Sequence, residues 1–199
     1  ASGGEYLWHD NWIFIGSCIV IALAYVVGQV ISIPSSIILE HLIVRKILRP
    51  PELILLSERQ NTAEKLIENY LIGRHYSPLP RSVVDKVFSN ATEDTSLNRQ
   101  ELEQDLKAVF VSAIMHSRKS NNPRISFFRN QYSFSRNISF VIAVITVLFL
   151  YKWMVGECSW VWPTTLLLAS ASMFIRFLKF YSCCATEVIS SYAYSDKSQ

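Results

Sequence analysis

The chain has almost none of the residue patterns on which soluble enzymes are built. It contains no GxxxxGK[ST], no GxGxxG and no GxSxG, so the backbone cradles for nucleotide phosphates and the nucleophile elbow of serine hydrolases are missing. Its four histidines, at 9, 41, 75 and 116, form no HExxH pair and have no acid at a matching helical offset. No metal site and no cofactor is expected from them. Cysteine is equally sparse in pattern: Cys18 lies in an apolar run, Cys158 stands alone, and Cys183 and Cys184 are neighbours, a spacing poorly suited to a disulfide inside a helix. A net charge of +3 is too small to argue for direct nucleic-acid binding. The polar groups are too few and too basic to stage acid–base work, and the chain is not expected to be an enzyme.

Charge itself is missing along three stretches, and this absence is the informative one. Half of the 199 residues are apolar and the mean hydropathy is positive, unusual for a soluble domain. From Trp12 to Ile33 there is no ionisable group, and Gln29 is the only large polar side chain. Ile138 to Gly156 is uncharged up to Lys152, and Cys158 to Ile175 is uncharged throughout. About 20 apolar residues cross a bilayer core as a helix. None of the three runs shows the amphipathic period of a helix buried in a soluble core. They predict an all-α integral membrane protein with three spans, the last two so close together that they form a hairpin turning at Val155–Glu157. Trp8, Trp12, Trp153, Trp160 and Trp162 all stand at span ends on one side, as an interfacial aromatic belt requires.

Basic residues orient such spans. No Lys or Arg precedes Trp12, whereas Arg45, Lys46 and Arg49 follow the first run and Arg124, Arg129 and Arg136 lead into the second. The expected topology has the N-terminus outside, residues 49–133 and the C-terminus in the cytoplasm, and the hairpin tip outside. "ASGGEYLW" has neither the n-region nor the h-region of a signal peptide. A removed upstream segment or a further span are both open.

Three regions follow. Residues 1–48 are expected to be the first transmembrane helix, kinked at Pro34, with an amphipathic cytosolic extension through Ile37, Ile38, Leu42, Ile43 and Leu48 that Pro50-Pro51 ends. Residues 49–124 predict a small cytosolic helical segment. It comprises Thr62–Ile72, a helix closed by Gly73; "SPLPRSVVDKVF", with Pro80 in a first turn; and a helix starting at Asn98-Arg-Gln-Glu101, whose apolar stripe runs Leu102, Leu106, Val109, Phe110, Ala113, Ile114. "SRKSNNPR" at 117–124 predicts a polar linker with a proline stop. Residues 125–199 are the hairpin, with a basic lead-in helix and a trailing cytosolic helix.

Ionisable groups near membrane depth are costly and tend to pair. The candidates are Glu40, Arg129, Arg136, Arg176 and Glu187. In an antiparallel hairpin Arg129 approaches Glu187, and Glu40 can meet either Arg136 or Arg176. Gly28, Ser32 and Ser36 recur every four residues and mark a small-residue face suited to helix packing, within one subunit or between subunits. The repeated Arg-Asn of "FFRNQYSFSRN", at 129–130 and 136–137, puts both arginines on one helix face as a collar at the cytoplasmic membrane edge.

The block "FFRNQYSFSRNIS", a span, a short turn, a second span and then "MFIRFLKFYSCCATEVISSYA" resembles small bacterial integral-membrane proteins of anti-phage and other conflict operons, and over residues 125–192 is similar to the SLATT class of pore-forming effectors. The resemblance implies a bacterial inner-membrane sensor or effector of a defence system that acts with a soluble partner protein; a homo-oligomer is expected because three spans of one small subunit form a conducting path only together with other copies. Residues 49–124 depart from the minimal plan of that class. A channel or transport subunit with a housekeeping role is the alternative.

Overall fold

With no charge and no β-favouring alternation to interrupt it, the first apolar run winds as one helix, α1, Gly3–Ser35. The computed structural model describes residues 3–56, 77–95 and 97–195, with side chains from residue 15 onward except Ile47. Every regular element among them is helical. Three helices are long and apolar enough to cross a membrane: the first, which continues beyond α1, and two in the C-terminal half. The expected helix over 62–72 lies outside the described residues.

The proline at 34 does not stop α1. Beyond it the chain continues without a break into a π-helix, Ser36–Leu48, a wider winding that is rare in proteins and frequent at functional sites. This changes which residues are buried. Leu39, Val44 and Leu48 point inward, separated by five and then four residues, while Ile37, Ile38 and Leu42 are exposed. The stripe expected from a 3.6-residue period is therefore mostly the wrong face, because the wider turn shifts the phase with each residue. Arg49, at φ 60°, ends the segment in a backbone region that favours glycine.

Pro50-Pro51 ends that helix and also starts the next. Pro51 occupies the first turn of α2, Pro51–Leu56, with Glu52 beside it at the helix N-terminus. α3 is Arg81–Thr95, preceded by Pro80, whose carbonyl accepts from Val83 and Val84. The stripe from Leu102 to Ile114 is split between α4, Arg99–Gln104, and α5, Leu106–Ser120. Asn98 and Glu101 close a capping box at the start of α4. Asp105 then leaves helical geometry and caps α5 by accepting from Ala108 N at 3.3 Å, an alternative that aspartate offers the backbone.

The expected linker at 117–124 shrinks to Asn121 and Asn122. Asn121 takes the left-handed conformation at φ 47°, which asparagine tolerates as a helix terminator. Asn122 accepts from Arg124 N at 2.9 Å, and Pro123 opens a helix instead of stopping one. That helix is α6, Pro123–Met154, and the last is α7, Val161–Ala193. Each is close to 50 Å long at 1.5 Å per residue.

α6 and α7 run antiparallel in strict register. Asn122 meets Glu187, Ile125 meets Cys184, Tyr132 meets Phe177 and Ser139 meets Ser170, each step forward on α6 matched by an equal step back on α7. At the centre Ser139 and Ser170 exchange hydroxyl-to-carbonyl bonds, both 3.0 Å. The second half of α7 then becomes the core of the small bundle. Ala185, Val188, Ile189, Tyr192 and Ala193 pack against Leu55 and Leu56 of α2, Val87, Phe88 and Ala91 of α3, Leu102 of α4 and Val109 and Ala113 of α5. Burying each of the larger side chains contributes about 1.5–3 kcal/mol. The Tyr192 hydroxyl donates to Asp94 at 2.6 Å, and its carbonyl accepts from Asn90 at 2.8 Å. A second cluster, Val44, Leu48, Ile54, Phe177 and Leu178, joins the π-helix and α2 to α7.

Candidate functional site

Polar side chains of the first apolar helix and of α6 converge at one level. Ser32 on α1, Ser35 at its end, Ser36 and Glu40 on the π-helix, and Arg136 and Asn137 on α6 form one knot. Arg136 Nη1 donates to Glu40 Oε2 at 2.9 Å and Nη2 donates to Ser32 Oγ at 3.0 Å. Ser36 Oγ donates to the same Glu40 oxygen at 2.6 Å. The Ser35 hydroxyl lies 2.6 Å from Asn137 Oδ1 and 3.0 Å from the Ser32 carbonyl. The Arg136 side chain is 7% exposed and that of Glu40 19%. Two charges taken this far out of water are tolerable because their polar atoms find partners.

Of the two partners open to Glu40, the structure brings in Arg136. Arg176 instead stacks over Phe180 at 5.4 Å from the ring centre. Arg129 and Glu187 form no ion pair among the described residues. Both flank Cys184, and Glu187 accepts from Asn122 Nδ2 at 3.3 Å. The two Arg-Asn repeats thus divide. Arg136 and Asn137 are drawn into the knot, whereas Arg129 and Asn130 are exposed. Of the small-residue face, Ser32 and Ser36 bind the ion pair, while a Cβ built on Gly28 would meet nothing within 4 Å. Asn90 and Asn137, each at the head of an N-x-[ST] triplet, are held in internal hydrogen bonds.

Below the knot, toward the bundle, lies a cavity of about 710 Å³ between the π-helix, α2, α5, α6 and α7. Sequence reasoning missed it, since its wall is assembled from five elements with no shared motif. Glu40 reaches its edge, and Glu52, Tyr132 and Tyr181 line it. Tyr132, Phe177 and Tyr181 stack beside it with ring centres 5.3–6.3 Å apart. Two buried polar atoms in this region have no hydrogen-bond partner, Glu52 Oε2 and Ser135 Oγ. No group of three or more His, Cys, Asp or Glu among the described residues is arranged to hold a metal ion.

Compared with known protein families, curated proteins and solved structures, the chain matches none.

Proposed function

We propose that this chain is a non-enzymatic, multi-pass protein of a bacterial inner membrane that couples a cytosolic helical bundle to its spans. It acts as a sensor or effector of a defence system, as a homo-oligomer with a soluble protein partner. The observation that carries the reading is the continuity of α7. One unbroken helix, Val161–Ala193, packs against α6 from Ser170 to Glu187 and supplies the core of the bundle with its last turns, from Ala185 to Ala193. There is no loop between the two in which a displacement of the bundle could be absorbed.

In this reading α1 crosses from outside to inside over residues 12–33, and α6 and α7 cross as a hairpin over 138–156 and 158–175. Exposed Trp153, Trp160 and Trp162 at the hairpin tip suit the outer interface, and Arg45, Lys46 and Arg124 suit the inner one. Ionisable residues at the inner ends of spans are functional candidates by their cost, which gives the Glu40–Arg136 pair its weight. The reciprocal serine bonds hold α6 and α7 too close for a conduit between them, so a conducting path requires several copies.

The test is reconstitution of the full chain into liposomes, with its assembled mass measured in mild detergent. An oligomer whose ion flux changes when Ile189→Arg disturbs the seat of α7 in the bundle is the expected result. A bilayer that stays tight with wild type and variant alike, the oligomer being assembled in both, refutes the effector reading. A partner of defined mass copurifying with wild type and lost from the variant would identify the soluble component.

A further inference from the structure

We infer that the cavity between the bundle and the inner ends of the helices binds a phosphate ester that also carries a hydroxyl or amino donor and an apolar portion. Its volume, about 710 Å³, lies within the range of small-ligand sites. Four cationic side chains line it: Arg45 from the π-helix, Lys107 and Arg118 from α5, and Arg129 from α6. None of the four is in an ion pair within 4 Å among the described residues. Of the two carboxyl groups that line it, Glu40 is already neutralised by Arg136, which leaves Glu52 alone against the four cations. The cavity therefore presents excess positive charge, and arginines in a partly enclosed site select phosphate oxygens by forked, charge-assisted hydrogen bonds.

Two other walls define the rest of the ligand. Glu52 comes from α2 with Oε2 buried and unpartnered. A buried acceptor without a donor is costly, and a hydroxyl or ammonium group on the ligand would satisfy it. Phe110 and Ile114 of α5 provide an apolar wall. Phosphate, donor and apolar stem together describe either a phospholipid headgroup entering from the inner leaflet or a soluble phosphate ester entering from the cytosol. The chemistry is shared, and the source is decided by experiment. The inference stands apart from the sensor reading, since binding is measurable in a chain that neither conducts nor signals.

The full chain is purified in mild detergent and examined by native mass spectrometry for retained phospholipid. It is then titrated in two arms, with phosphatidylglycerol added to phosphatidylcholine nanodiscs, and with adenosine monophosphate or inorganic phosphate in detergent. Arg118 and Arg129 are exposed, so Arg118→Gln with Arg129→Gln leaves folding intact, which the unliganded melting curve verifies. Saturable binding in either arm, weakened about tenfold or more by the double substitution and unchanged by Lys152→Gln at the opposite end of α6, supports the site; tenfold corresponds to about 1.4 kcal/mol. Retained lipid or the nanodisc arm assigns the headgroup, and the other arm assigns the soluble ester. Absence of binding in both arms, or binding that Lys152→Gln weakens as much as the double substitution does, overturns it.

Discussion

At the scale of single residues, burial separates ion pairs that look alike on paper. Arg136 and Arg99 each pair with carboxylates, Arg136 with Glu40 at 2.9 Å and Arg99 with Asp85 and Glu103. The side chains of the Arg99 pairs are more than half exposed, and water and salt screen them. Removing one partner of a buried pair leaves a charge with no solvent and costs about 3–5 kcal/mol. Arg136→Gln should accordingly lower the unfolding midpoint in detergent sharply, while Arg99→Gln leaves it close to wild type. A double variant, Glu40→Leu with Arg136→Leu, should recover much of the loss. Equal small effects from Arg136→Gln and Arg99→Gln would show that the buried pair contributes no more than a surface one. The sequence marked Glu40 as needing a cation and could not choose between Arg136 and Arg176. The choice depends on the rotational phase of the chain after Pro34, and π-helical winding sets that phase in a way no apolar period reveals.

At the scale of elements, Tyr192 is the pin between α7 and the bundle. Its ring is fully buried, its hydroxyl bonds to Asp94, and its carbonyl holds Asn90. Tyr192→Ala opens a cavity and removes the hydroxyl that donates to Asp94, at a cost of about 3–5 kcal/mol by analogy with buried aromatic truncations. The loss should be local. Hydrogen exchange should accelerate in α3 and α5 while the paired central turns of α6 and α7 keep their protection. Uniform acceleration along the chain would mean that bundle and helix pair unfold as one unit. Element boundaries were legible where a local cap decides them, as at Asn98 and Glu101. They were not legible where a residue has two uses. Asp105 reads as one more polar position on a helix yet caps the next helix, and Pro123 reads as a stop yet occupies a first turn.

At the scale of the whole molecule, three apolar helices were visible from the absence of charge alone, because a soluble core rarely accommodates an uncharged run of that length. The cavity was not visible, since residues from 40 to 188 contribute to one wall only after five elements meet. Assembly between copies can be tested at the face around Gly28. A Cβ there meets nothing within the chain, so Gly28→Leu should leave the fold and melting behaviour of one copy unchanged. If that face is the seam between subunits, the mass in detergent should fall to that of a smaller assembly, because small residues let helices approach closely. An unchanged mass would assign the face to lipid.

The crossed pair of bonds between Ser139 and Ser170 also limits how the molecule can move. Sliding α6 past α7 by a single residue breaks both bonds together and turns every facing side chain out of phase. The next alignment with the same faces opposed is a whole turn away, about 5.4 Å. The two helices therefore form a clasp with discrete stops instead of a continuous bearing. A disturbance at the bundle end of α7 either swings the pair as one lever or shifts it by a full notch.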